Sequence, residues 1–176
     1  MDRKFTFNKL DRRTRVLMCE EIATAEQSNN IYESTRFNET GRKIWVELIQ
    51  KAAQEHDEHW LAYQLELVGA MKDLETKAKP KGGYTIAHVP DIATETLADG
   101  QFNRFYMAAI CRRALEDGKS NVSIYRAKQR IDPRPESRIL EGKFREAKAL
   151  LQELRIKELS LRCDLLKPNS GLSIDY

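Results

Sequence analysis

Thr96-Leu-Ala-Asp-Gly-Gln-Phe-Asn-Arg-Phe-Tyr-Met-Ala-Ala-Ile-Cys-Arg-Arg-Ala-Leu-Glu-Asp-Gly118 reads as one long helix. It starts near Thr94 or Thr96 and runs to Asp117, with Gly118 where a C′ glycine is preferred. At about 100° per residue, Phe102, Phe105, Tyr106, Ala109 and Ile110 share one wide face with Met107 beside it. Arg104 and Ala108 lie opposite, and Arg112 turns toward that side. A helix apolar over most of its circumference belongs at the centre of a fold. Arg113 is the misfit, because it points almost with Phe102 and Ala109. It needs a carboxylate, a set of helix-end carbonyls, or a path to the surface for its charged head.

Upstream, three shorter helices are expected. The first runs from about Lys9 to Gln27 behind Asn8 as N-cap, with Leu10, Leu17, Met18, Ile22 and Ala25 at helical spacing. The second starts near Asn38 or Thr40 and carries the stripe Ile44, Trp45, Leu48, Ile49, Ala52 and Ala53. Asp57 caps the third, with Trp60, Leu61, Leu65, Val68 and Met71 inward. The acids of this bundle are expected to face water. Lys77-Ala-Lys-Pro-Lys-Gly-Gly83 reads as a basic connector, and Tyr84–Val89 as a short strand. Downstream, Asn121–Ala127 reads as a strand and Asp132–Glu136, with two prolines, as extended chain. A final helix is expected from about Phe144 to Arg162, followed by a loose tail from Lys167. The fold class is therefore α+β, mainly α-helical: a helical N-terminal part plus a long central helix with two or three short strands. We read residues 1–176 as a single domain, with a possible sub-division into a bundle at 8–75 and an α+β part at 84–166.

The 176 residues have a net charge of +3 and a mean hydropathy of −0.62. No apolar run approaches the roughly 18 residues of a membrane span, and the N-terminus lacks the apolar stretch of a signal peptide. Cys19, Cys111 and Cys163 stand far apart in no paired spacing, as expected of reduced thiols in a cytoplasmic protein. The charge is unevenly spread. Residues 101–145 carry eleven Lys and Arg against five Asp and Glu, whereas residues 1–100 carry fourteen against seventeen. Such a segment attracts polyanions, unless its bases pair with the acidic N-terminal half. Its candidate anion contacts are Arg104, Arg112, Arg126, Lys128, Arg130, Arg134 and Arg138, with Tyr125 available to stack on an exposed base.

Other constellations are weaker. His56 and His59 are three apart, not the four of the zincin pattern, and the third histidine, His88, lies beyond the connector. Asp132 with Glu141-Gly-Lys143 matches the acid and acid-x-Lys elements of a metal-dependent nuclease, but Pro133 follows the aspartate instead of preceding it. Lys81-Gly-Gly83 lacks the spacing of a phosphate loop. Cys111 sits mid-helix as a small core residue. No catalytic residue, metal or cofactor is assigned.

Thr96-Leu-Ala-Asp-Gly-Gln-Phe-Asn-Arg-Phe-Tyr106, Cys111-Arg-Arg-Ala114, Tyr125-Arg-Ala-Lys128 and Pro133-Arg-Pro-Glu-Ser137 form a combination that resembles small uncharacterised bacterial proteins. His56-Asp-Glu-His-Trp-Leu-Ala62 is similar to part of the same group. The resemblance covers most of the chain and implies a bacterial or phage-related, cytoplasmic setting; it carries no activity and no site residue. The leading expectation is a non-enzymatic binding or accessory protein that contacts nucleic acid or another anionic partner through the basic segment. The alternatives are a protein–protein adaptor, its basic loop docking on an acidic partner, and a metal-dependent nuclease.

Overall fold

The structure, a computed structural model, describes residues 4–129 and 133–176. Helix α1 (Arg12–Gln27) is capped by Asp11, whose side chain accepts the Thr14 amide at 3.0 Å. The expected cap, Asn8, is used elsewhere. Residues 4–10 run as an irregular strap with a turn at Asn8 and Lys9, in which Thr6 N–H donates to the Ala127 carbonyl and Asn8 Nδ2 to Asp175. Asn38 caps α2 (Glu39–Glu55) and Asp57 caps α3 (Glu58–Leu67), as their side-chain chemistry dictates. Gly41 lets α2 lie against the chain that follows α3. A Cβ there would stand 2.3 Å from the Ala70 carbonyl oxygen and 2.7 Å from the Phe37 ring, closer than packed atoms tolerate.

Strands β1 (Leu74–Ala78) and β2 (Tyr84–His88) form an antiparallel hairpin; β2 is the expected short strand, whereas β1 was not expected and runs into the start of the expected connector. Helix α4 (Ala93–Glu116) follows, with Gly118 at φ 73° just beyond its end. It is the expected central helix, packed against α1, α3 and α6. Phe102, Tyr106, Met107, Ala109 and Ile110 are fully buried in it, and so is Arg104.

The remaining elements are β3 (Asn121–Arg126), α5 (Pro135–Leu140), β4 (Phe144–Glu146), α6 (Ala147–Arg155), α7 (Lys157–Ser160) and β5 (Leu172–Asp175). Strand β3 is flanked by β4 and β5, antiparallel to both. Mainly helical with two small antiparallel sheets, the fold is α+β.

Four expectations change. The final helix is broken into β4, α6 and α7, with Ile156 extended between the two helices. The loose tail is instead a buried strand, because Leu172 and Ile174 complete the core beneath β3. The proline-rich stretch opens a helix at Pro135, since proline's missing N–H costs nothing in a helix's first turn. The bundle's acids do not all face water: Glu21 and Glu58 are buried. Among the described residues, no helix is long and apolar enough to cross a membrane.

Candidate docking surface

The structure turns most of the basic segment inward. Arg104 is 1% exposed. Its Nε donates to the Leu154 carbonyl at 2.8 Å and its Nη2 to the carbonyls of Asn30 at 3.1 Å and Arg155 at 3.4 Å. Lys128 is 2% exposed, its Nζ 2.6 Å from Asp99 and 3.0 Å from Glu95. Arg112 reaches Glu20 at 2.8 Å and Glu21 at 3.3 Å across the α1–α4 contact. Arg126 is held by Glu141 at 2.9 Å and the Ser170 carbonyl. Arg145 pairs with Glu153 at 2.7 Å, and Arg113, the misfit of the central helix, with Asp11 at 2.6 Å. Tyr125 donates its hydroxyl to the Thr6 carbonyl at 3.0 Å, so the strap partly covers its ring. These are corrections to an open, anion-facing row. The reason is electrostatic: acids of the N-terminal half, the nearby Glu141 and Glu153, and backbone carbonyls lie close enough to satisfy these cations internally.

Arg134 and Arg138 are exposed on and beside the first turn of α5. Arg130 and Asp132 lie outside the described residues. The nuclease triplet is not brought into a buried strand pair: Glu141 accepts from Arg126, and Gly142 and Lys143 form the exposed turn into β4. His56 stacks on Trp60 with ring centres 4.1 Å apart. Cys111 is fully buried, which pushes its thiol up to about 12 and leaves it un-ionised at neutral pH.

The surface that remains is the hairpin. Its tip is Lys79-Pro-Lys-Gly-Gly83: proline presets the turn, Gly82 N–H donates to the Lys79 carbonyl, and both glycines hold positive φ. The register pairs Leu74 with His88, Thr76 with Ile86 and Ala78 with Tyr84, so these six residues share one face. That face is open. Tyr84 is 74%, Ile86 72% and Leu74 48% exposed. Only the base is anchored, where Arg36 clasps Glu75 through bonds of 2.6 and 3.2 Å and Lys72 N–H donates to the Arg36 carbonyl. Lys79 and Lys81 are exposed and have no ion pair among the described residues, while Lys77 leans on Glu75.

Sequence reasoning missed β1 and therefore this surface. The signal was present: Leu-Glu-Thr-Lys-Ala and Tyr-Thr-Ile-Ala-His alternate on either side of a Pro/Gly turn. Against known proteins, the chain matches no family model, no curated protein and no solved structure.

Proposed function

We propose that this protein is a non-enzymatic adaptor whose β1–β2 hairpin docks on a protein partner that offers an apolar strip bordered by acids. The observation that carries this reading is the open face of Tyr84, Ile86 and Leu74 beside Lys79 and Lys81, exposed and without an ion pair among the described residues. A two-stranded ribbon is marginal alone in water, and contiguous exposed apolar groups on a folded protein mark interaction sites. Covering the face would gain about 25 cal/mol per Å² of apolar area. The lysines add charge complementarity, which sets orientation and association rate more than final affinity. The helical body serves as the scaffold that holds the ribbon out. A nucleic-acid partner is the less supported form of the anionic-partner reading, since three of the guanidiniums that suggested it, Arg104, Arg112 and Arg126, are bonded within the fold.

A photoreactive phenylalanine analogue at position 84, in the full chain within native cells, should yield a discrete protein adduct. Lys79→Glu with Lys81→Glu should abolish that adduct while leaving stability unchanged within about 0.5 kcal/mol, as expected of exposed side chains. Adducts removed by nuclease, or none at all, would overturn the adaptor reading.

A further inference from the structure

A second feature lies away from the hairpin, between α3 and the start of α4. A cleft of about 310 Å³ opens there, lined among the described residues by carboxyl groups from Glu58, Glu66, Asp91, Glu95 and Asp99 and by one lysine, Lys128. That volume is at the lower end of small-molecule sites. Lys128 is committed to Glu95 and Asp99. Glu58 is not so served. It is 1% exposed, its Oε1 accepts the Phe5 amide at 2.7 Å, and its Oε2 is buried with no hydrogen-bond partner among the described residues. A buried acceptor without a donor is costly, and the usual remedy is a ligand, an ordered water or a proton. Glu66 and Asp91 stand at the exposed mouth, and Ile92 and Tyr63 offer apolar surface there.

We propose that this cleft binds a small organic cation: a primary ammonium or guanidinium on an aliphatic stem. The charged head would lie toward Glu58, with its N–H groups supplying the donor that Oε2 lacks. The stem would pass between Ile92 and Tyr63, and the mouth carboxylates would hold any second cationic group. An organic cation fits better than a metal. Among the described residues, no group of three or more His, Cys, Asp and Glu side chains is placed to hold a metal ion.

The cleft also predicts how binding depends on pH. Burial pushes the Glu58 carboxyl up to about 7, with the Phe5 amide and its own backbone amide opposing the rise and the Asp57 and Asp99 carboxylates adding to it. Asp57 and His59 flank it on its own helix and Lys4 pairs with Asp57. Across the cleft it faces Glu95 and Asp99 of α4 and Lys128. A cation favours the ionised carboxylate, so binding should release a proton near pH 7 and tighten as pH rises from 6 to 8.

Isothermal titration of the full chain tests this, with putrescine, agmatine, a lysine-containing tripeptide and magnesium chloride as probes. Saturable one-to-one binding of an amine is expected. Tighter binding of putrescine or agmatine identifies a free amine as the ligand, and tighter binding of the peptide identifies a protein side chain. Glu58→Gln should weaken the best amine by about tenfold or more, the scale of a lost charged hydrogen bond, and abolish the rise between pH 6 and 8. Asp91→Asn, at the exposed mouth, should weaken it about threefold by Coulomb attraction alone. The proposal is overturned by absence of amine binding at millimolar concentration, by unchanged affinity in both variants, or by magnesium binding alone.

Discussion

Replacing Arg104 by alanine should lower the stability of the fold by about 3–5 kcal/mol, read from chemical denaturation at neutral pH. The guanidinium ties α4 to three carbonyls from two parts of the chain: Asn30 after α1, and the consecutive Leu154 and Arg155 at the end of α6. None of those carbonyls belongs to the central helix, so Arg104 acts as a clamp between α4 and its surroundings. Burial pulls its guanidinium down to about 10, still far above neutral pH, so the charge persists inside the fold. Alanine would leave a cavity and orphan acceptors together, each of which costs about 1–3 kcal/mol when buried. Arg104→Met separates the two effects. It keeps most of the volume, so its remaining loss of about 2 kcal/mol reports the hydrogen bonds. A change below about 0.5 kcal/mol in both variants would mean that the clamp contributes nothing.

Glu58→Gln should do the opposite, and only at higher pH. The folded carboxyl titrates near 7, against an ordinary value of 4.5. The native state therefore holds the Glu58 proton more tightly than the unfolded chain does. Stability from this group is fully present below about pH 4.5, falls as pH rises toward 7, and is lost above it. The interval corresponds to about 3 kcal/mol. Glutamine keeps an acceptor for the Phe5 amide and carries no charge to desolvate or to be repelled by the Asp57 and Asp99 carboxylates. The variant should thus gain up to about 3 kcal/mol at pH 8 and little at pH 5, measured against the parent at each pH. An equal difference at both values would remove Glu58 titration as the cause. A gain in stability combined with loss of amine binding is the usual relation between a strained site and the fold that carries it.

The central helix was legible because one pattern decided it. Phe102, Phe105, Tyr106, Ala109 and Ile110 repeat at helical spacing, and Gly118 marks the end. The caps Asn38 and Asp57 were legible for the same local reason. What escaped was set by partners distant in sequence. Leu172 to Asp175 is too short and too close to Pro168 and Gly171 to read as a strand, yet it pairs with β3 some fifty residues earlier. The break at Ile156 is invisible locally, because leucines on both sides keep a helical rhythm; it appears where the α6 carbonyls turn to Arg104. The basic segment misled in an instructive way. A count of charges along the chain is blind to pairing across it, and Arg112 with Glu21, or Lys128 with Asp99, are pairs between the two halves. The burial of Glu58 likewise depends on α4 and the N-terminal strap closing over it.

Because the hairpin tip stands apart from the helices, a protease that severs the chain between Lys79 and Gly83 would not part the molecule. The two fragments remain stitched across the gap by Thr6 with Ala127, Asp11 with Arg113, Arg13 with Asp117, and the buried seam of α1 and α3 against α4. Nicked material should therefore elute from gel filtration at the mass of the intact chain and separate only in denaturant. Cleavage would thus remove the exposed ribbon's grip while sparing the body that carries it.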